Sequence, residues 1–427
     1  MNAKKLLAGT AALTLGAVSL AACSGGDGGD SGDATTLSFW HNSTTGDGKA
    51  YWEDMAAQFE EANPGVTIEI QAIQNEDMDG KLQTALNAGD APDVFMARGG
   101  GKLADTVAAG QVMDISDAIT DETRAGLGGS LAAFEVDGKN YGVTSSVLPE
   151  GIFYSQDLFD AAGITETPGT IDELIDANEK LRESGVEPIA VGAKDAWPAA
   201  HWYYNFALRE CSQDVMNAAA ETRSFEDDCW LRASEDLQDF VETDPFNSGF
   251  LTTSAQQGAG SSAGLLANHQ AAMELMGGWN PGVIASLTPD EQPLADLALF
   301  PFPEISGGDG APGAIMGGAD GYACWVNAPD ICVDFLNFIS TKEAQEGYAE
   351  AFQTIPANVD AQGVVTDPAL QDLAAAYAEA PYVMLWLDTM YGQNVGNALN
   401  LAVVDMLAGN GSPEAIVQAV NDAALRG

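Results

Sequence analysis

The chain has little positive charge. Sixteen Lys and Arg stand against 63 Asp and Glu, a formal net charge of −47 over 427 residues. A surface of that sign repels phosphate backbones and anionic headgroups, which excludes nucleic-acid binding and disfavours an anionic ligand. Histidine is scarcer still. His41, His201 and His269 fall in neither HExxH nor any other ligand-like pair, so each is expected to be structural or a hydrogen-bonding group rather than a metal ligand. No two cysteines are spaced CxxC, which leaves zinc and thioredoxin chemistry without support. "ARGGGK", Ala97 to Lys102, has no Ser or Thr after its lysine, the ending that would hold a nucleotide's phosphates and magnesium. There is no fixed-period repeat, and beyond the first 20 residues no uncharged apolar run of the length that crosses a bilayer. No metal and no cofactor is expected.

What is present begins with a leader. Lys4 and Lys5 precede an uncharged apolar segment, Leu6 to Leu20, which has the length of a secretory h-region and is too short for a comfortable membrane span. Leu20-Ala21-Ala22-Cys23 resembles the bacterial lipobox, in which the cysteine thiol is lipidated and the chain is cut just before it. Residues 1–22 are therefore read as a lipoprotein signal peptide and Cys23 as the lipidation site. Residues 23–33, built from Gly, Asp and Ser after that cysteine, bury almost nothing and read as a flexible leash. Four further cysteines follow: Cys211, Cys229, Cys324 and Cys332. Outside the cytoplasm an even set reads as two disulfides with three possible pairings, of which the local one, Cys211 with Cys229 and Cys324 with Cys332, is the simplest.

Along the rest of the chain the pattern is α/β. "DATTLSFW" reads as a first strand. Lys49 to Ala62 carries Tyr51, Met55, Phe59 and Ala62 at helical spacing and is stopped by Asn63-Pro64-Gly65. "VTIEIQAI" alternates as a half-buried strand does, a helix from Met78 to Ala88 follows, and "APDVFMARGGG" is a short strand running into glycines. Strand and helix alternating in this way imply a parallel sheet covered by helices. Asp137-Gly138 signals a tight hairpin. The α/β pattern then restarts with a helix at Ile171 to Glu183, a strand at "EPIAVG", an aromatic helix at "WPAAHWYYNFALR", and strands at "QAAMELMGGW" and "DLALFPFPE", so two α/β lobes are expected.

A GxSxG match occurs at Gly260 to Gly264. A hydrolase nucleophile elbow needs a buried apolar strand before its serine. Here the polar "LTTSAQQGA" precedes it, and the segment reads as a loop leading into a helix at Leu265. The tryptophans are more telling. Trp40 ends a strand, Trp197 precedes Pro198, Trp279 follows Gly277-Gly278, and Trp386 lies in "PYVMLWLDTMYG". An indole at a turn exposes a flat face suited to the C–H side of a sugar ring, while neighbouring polar groups reach its hydroxyls.

Five segments together resemble a known family. They are "APDVFMARGGGKLADTVAAGQVMDIS", "YGVTSSVLPEGIFYSQDLFDAAGITETPGTIDELIDANEKLRESGVEPIAVG", "AAMELMGGW", "GGADGYACWVNAPDICVDFLNFISTKEAQEGYAE" and "TIPAN". In this order they are similar to the extracellular solute-binding proteins of ABC importers, in the group of maltose-binding protein and its oligosaccharide-binding relatives. The resemblance implies a two-lobed periplasmic-binding-protein fold of α/β class, with hinged lobes and a central ligand cleft. By the same analogy the first lobe is 34–146 plus 304–344 and the second 147–303 plus 345–427, with crossovers near Tyr141 to Val147, Phe300 to Pro303 and Lys342 to Gly347. It implies Trp279 as a stacking platform, Trp197 as a second aromatic, and Arg98, His41 and Asn42 as polar groups of the first lobe. Glu150, Asp320 and Trp386 join the ligand-binding set from their place at crossovers and loops. Relatives often have Gly and Lys before "AAM", where this chain has His269-Gln270.

The function implied is capture of a neutral sugar or oligosaccharide and its delivery to an ABC permease. The protein would act as a monomer on the extracellular face of the cell membrane, attached by lipid, with no nucleic-acid partner. Two alternatives stand beside it. One is a secreted carbohydrate-active hydrolase using Ser262 or a carboxylate pair. The other is the same fold with a charged solute such as a glycerol-phosphate ester, which ranks lower because phosphate recognition recruits several Arg or Lys groups.

Overall fold

The computed structural model describes residues 35–44 and 46–426, so the leader, the leash and Cys23 lie outside the described residues. Eleven strands are present among these: β1 Thr35–His41, β2 Val66–Ala72, β3 Val94–Arg98, β4 Glu135–Val136, β5 Lys139–Asn140, β6 Val143–Ser155, β7 Glu187–Ile189, β8 Ala271–Gly277, β9 Leu297–Phe300, β10 Ile315–Cys324 and β11 Val383–Leu385. The main sheet runs β2-β1-β3-β10-β6-β8-β7, with β11 added beside β10 and β9 beside β6. β1 pairs in parallel with β2 and β3, β7 with β8, and β11 with β10, whereas β10 runs antiparallel to β3 and β6, and β6 antiparallel to β8 and β9.

The long strand β6 joins the two lobes. Its first half, Val143 to Pro149, pairs with β10. From Glu150 onward it pairs instead with β8, and from Ile152 with β9 as well. Each side of this change of partner has its own core. One core is built on Leu37, Phe39, Trp52, Phe59 and Phe335, the other on Leu174, Leu181, Trp202, Phe206 and Phe240. A second apolar layer covers the opposite face of the sheet in each half, with Phe95, Leu103 and Phe134 in the first and Phe153, Leu266, Met276 and Leu373 in the second. Sheets covered on both faces have strands buried along their whole length, and every residue of β8 is buried.

Local sequence accounts for many of the elements. The helix Ile171–Glu183 begins with a capping box in which Thr170 accepts from Glu173 N–H and the Glu173 carboxylate reaches back, and Lys180 and Arg182 lie in its last turn, where the helix dipole favours them. Asp137 (φ 52°) and Gly138 (φ 76°) form the β4-β5 hairpin turn, both in the left-handed region that such turns require. Elsewhere the structure moves a boundary. The helix expected from Met78 spans Asn75–Ala88. The one expected at Leu265 spans Ser262–Ala267, because the Ser261 hydroxyl accepts from Gly264 N–H and caps it three residues earlier. Disulfides join Cys211 to Cys229 and Cys324 to Cys332, the local pairing.

Candidate functional site

Two groups of side chains meet near the point where β6 changes partners. The first is aromatic. Trp279 follows the glycines that end β8, and its ring lies against Gly277 so closely that a Cβ there would stand 2.0 Å from the indole. Trp386, preceding the short helix Leu387–Met390, has the same relation to Gly318 of β10, again at 2.0 Å. Trp197 opens the helix Trp197–Glu210, directly after Ala196 at φ 64°, ψ −53°, a backbone conformation that few residues with a Cβ adopt. The centroids of Trp279 and Trp386 are 5.4 Å apart, edge to face, and those of Trp197 and Trp279 6.0 Å. Trp197 and Trp279 are half-buried, and their Nε1 donors are enclosed without a protein partner.

Beneath the rings sits Glu150, 3% exposed. Its carboxylate pairs with His201 Nδ1 and accepts from Asn205 Nδ2 at 2.7 Å and Trp386 Nε1 at 3.4 Å. The His201 ring stacks on Trp386 at 5.2 Å and lies 5.1 Å from Trp197.

The second group is charged. Arg98, at the end of β3, donates through Nε to Asp79 (3.3 Å), through one terminal nitrogen to Asp320 (3.1 Å) and through the other to Asn75 (2.7 Å). Asn42 joins it by donating to the same Asn75 oxygen at 3.2 Å. Lys102 Nζ contacts Asp79 at 3.0 Å and Asp388 at 3.7 Å. Burial works to raise the Asp79 carboxyl, but Arg98 and Lys102 outweigh it and hold it well below the usual carboxylate range. For Asp320 burial wins over Arg98, and its pKa is raised. Burial also acts on Asp388, yet Lys102, His201 and Arg98 bring it below the ordinary value. The two cations of this group are thus matched within the protein by three carboxylates.

Asp388 links the groups, since Asn400 donates to it at 3.3 Å and itself accepts from the Tyr204 hydroxyl, whose ring is 5.3 Å from His201. The glycines of "ARGGGK" permit this approach. A Cβ on Gly100 would meet Leu385 at 2.8 Å, and one on Gly101 the Met390 carbonyl at 2.3 Å. The triple glycine serves close backbone packing.

The structure thus brings together Trp197, Trp279, Trp386 and Glu150 in one group, and Arg98, Asn42 and Asp320 in the other. His41 stands apart from both. It is fully buried between Phe39 and Trp52, its Nδ1 accepts from Ser43 N–H, and burial, opposed by Glu53 and aided by Lys49, lowers its pKa to about 4. Strand alternation explains this, because Leu37, Phe39 and His41 share one face of β1. Sequence reasoning missed Asp79, Lys102, Asp388 and the pairing of His201 with Asn205. The last was open to view, since residues four apart share a helix face.

Ser262 is fully buried, and its hydroxyl donates to the Ala255 carbonyl at 2.9 Å, an arrangement unlike an exposed nucleophile. His269 adopts φ 53°, in the region glycine favours, and contacts Asp296 at 3.0 Å. Among the described residues no cluster of three or more His, Cys, Asp or Glu is arranged to hold a metal ion.

Two α/β lobes joined by a shared strand, with a cluster of indoles beside the crossing, are the architecture of a ligand-binding class of protein. The chain belongs to the bacterial extracellular solute-binding protein family, whose model matches residues 42–346. It is 26% identical over 382 residues to the diacetylchitobiose binding protein DasA of Streptomyces coelicolor, covering 85% of this chain and 83% of the relative. A solved structure from work on xylan utilization by the thermophilic bacterium Caldanaerobius polysaccharolyticus superposes with a TM-score of 0.84 at 25% identity, covering 91% of this chain and 99% of that one. A chitin oligosaccharide binding protein superposes with a TM-score of 0.82 at 24% identity, over 92% and 99% of the two chains.

Proposed function

We propose that this protein captures a neutral sugar or oligosaccharide between its lobes and delivers it to the permease of an ABC importer without altering it. The observation that carries this reading is the pair of half-buried indoles, Trp197 and Trp279, whose enclosed N–H groups lack a protein acceptor. A flat apolar face beside an unpaired donor suits a ring with an apolar side and hydroxyl oxygens at its rim. The charged group supports neutrality in the ligand. Arg98 and Lys102 already have Asp79, Asp320 and Asp388 as partners, so an anion would have to displace carboxylates. A relative named for diacetylchitobiose and a solved neighbour from xylan utilization point to the same ligand class.

In this reading the lobes are 34–146 plus 304–344 and 147–303 plus 345–427. They hinge about the crossing strands, and a ligand that touches both favours closure by its differential affinity. The protein acts as a monomer, and Cys23 carries the lipid that holds it near its permease, with residues 23–33 as the leash. A thermal-shift screen across neutral oligosaccharides, amino acids and glycerol-phosphate esters tests the proposal, followed by product analysis of each binder. A ligand at a hundredfold excess over its Kd adds about 2.7 kcal/mol. Stabilisation by a neutral sugar recovered intact is the expected outcome. Stabilisation by the phosphate ester alone, or release of hydrolysis products, would overturn it.

A further inference from the structure

Glu150 occupies an unusual position. It is the residue at which β6 leaves β10 and joins β8, with Pro149 opposite Gly317 and Glu150 opposite Gly277. Those two partner strands also carry the seats of the tryptophans, Gly318 under Trp386 and Gly277 under Trp279. The Glu150 carboxylate is enclosed, and both of its oxygens are occupied: Oε1 by His201 Nδ1, and Oε2 by Asn205 Nδ2 and Trp386 Nε1. Asn205 is itself oriented, because its Nδ2 also donates to the His201 carbonyl at 3.0 Å.

Asn205 and Trp386 are donors to Oε2. A carboxylate also accepts at Oε1 from His201 in the tautomer protonated on Nδ1, whereas an amide that kept its oxygen toward Asn205 and Trp386 would turn its NH2 to His201 and require the other tautomer. Through these bonds one side chain fixes the whole aromatic array. His201, held at Nδ1, stacks on Trp386 with 24° between planes and lies 5.1 Å from Trp197, and Trp386 presses edge to face on Trp279 at 79°. A ring nitrogen tied to a carboxylate fixes the orientation of the imidazole.

We propose that Glu150 is a positioning residue that does not touch the ligand: by holding His201 and Trp386 it sets the mutual angles of Trp386, Trp197 and Trp279, and with them the shape of the platform. The link to affinity rests on the sugar-binding reading above, but the link to indole geometry does not. The test is Glu150→Gln in the full chain, with the near-ultraviolet circular dichroism of the ligand-free protein recorded first, because coupled indoles report their relative angles. Calorimetric titration with diacetylchitobiose and with xylotriose follows.

The expected result is an altered ligand-free spectrum together with an affinity at least tenfold weaker for whichever sugar binds the wild type. A lost affinity with an unchanged spectrum would make Glu150 a direct ligand contact and overturn the proposal, as would no change in either. Should Glu150→Gln fail to fold, Asn205→Ala removes one of the three partners without touching an indole. A smaller spectral change of the same sign supports the proposal, and a wild-type spectrum overturns it. If neither sugar binds the wild type, the spectral arm still decides the role of Glu150.

Discussion

Trp386 lies over Gly318 of the neighbouring strand β10 with no room for a side chain between them, since a Cβ would stand 2.0 Å from Cζ3 of the indole. Trp279 has the same relation to Gly277. In both cases a glycine makes the floor on which an indole rests; for Trp279 that glycine is a near neighbour in the sequence, whereas for Trp386 it lies on a strand 68 residues earlier.

Gly318→Ala and Gly277→Ala each force an indole off its seat. Overpacking of this kind costs about 1–3 kcal/mol in stability. The larger effect is expected on ligand affinity, at least tenfold, because the ring must tilt or rise. Calorimetric titration with a sugar found in the library screen, alongside thermal unfolding, separates the two. A variant with lowered melting temperature and wild-type affinity would count against the platform.

Truncating the indoles themselves is the direct comparison. Buried aromatic anchors at binding sites contribute about 2 kcal/mol or more each. Trp279→Ala is therefore expected to weaken sugar binding roughly thirtyfold, and Trp197→Ala by a similar or smaller factor. Equilibrium titration of each variant and of the double substitution checks this, with the shared contact between the rings predicting less than additive losses.

Glu274 on β8 gives a pH dependence. Burial raises its carboxyl, against a hydrogen bond from Asn280 Nδ2 at 2.8 Å, to about 7 from a usual 4.5, and its Oε1 has no partner. The group is protonated in the native protein at mildly acid pH, while in the unfolded chain it has already ionised. The unfolded chain then binds fewer protons, so stability falls as pH rises from about 4.5 through 7 and levels off above. The span corresponds to up to about 3 kcal/mol. Glu274→Gln is expected to remove this decline, which urea unfolding at a series of pH values would register as a flatter profile and a gain above pH 7.

Asp105 closes a further contact at a distance in sequence. The helix Gln393–Leu407 follows Gly392, which has no side chain to cap it. Asp105 from the helix Gly101–Ala108 accepts from Gln393 N–H at 3.3 Å and pairs with Arg223 at 3.3 Å. The ion pair is largely solvated and contributes little, but a borrowed cap at a helix N-terminus is worth about 1 kcal/mol. On the lobe assignment proposed above these helices belong to opposite lobes, so Asp105→Ala favours the open form. Ligand affinity would then drop about fivefold through a faster off-rate, measured by stopped-flow tryptophan fluorescence. An unchanged off-rate would place both helices in one rigid unit.

The legible parts of this fold are those whose causes are short in range. The capping box at Thr170 and Glu173, the Asp137-Gly138 turn and the buried run of β8 depend on neighbours a few residues away, and each was readable as written. His41 was open to view too, because strand alternation from Leu37 and Phe39 puts it on a core face. The meaning of Gly99-Gly100-Gly101 was not: nothing within "ARGGGK" shows that Leu385 and Met390 approach it.

By itself the sequence determined the α/β class, the glycine turns that carry Trp279, and a charge balance hostile to anions. These follow from composition and from interactions within one or two helical turns. Only the tertiary structure decided that Glu150 would meet His201, Asn205 and Trp386, that Asp388 would meet Lys102, and that Arg98 would be matched by Asp79 and Asp320. Those partners lie up to hundreds of residues apart, and a side chain's charge or hydrogen-bonding capacity does not say which distant group packing will bring against it. Electrostatic energies depend on separation and burial, and both are set by the way the chain packs.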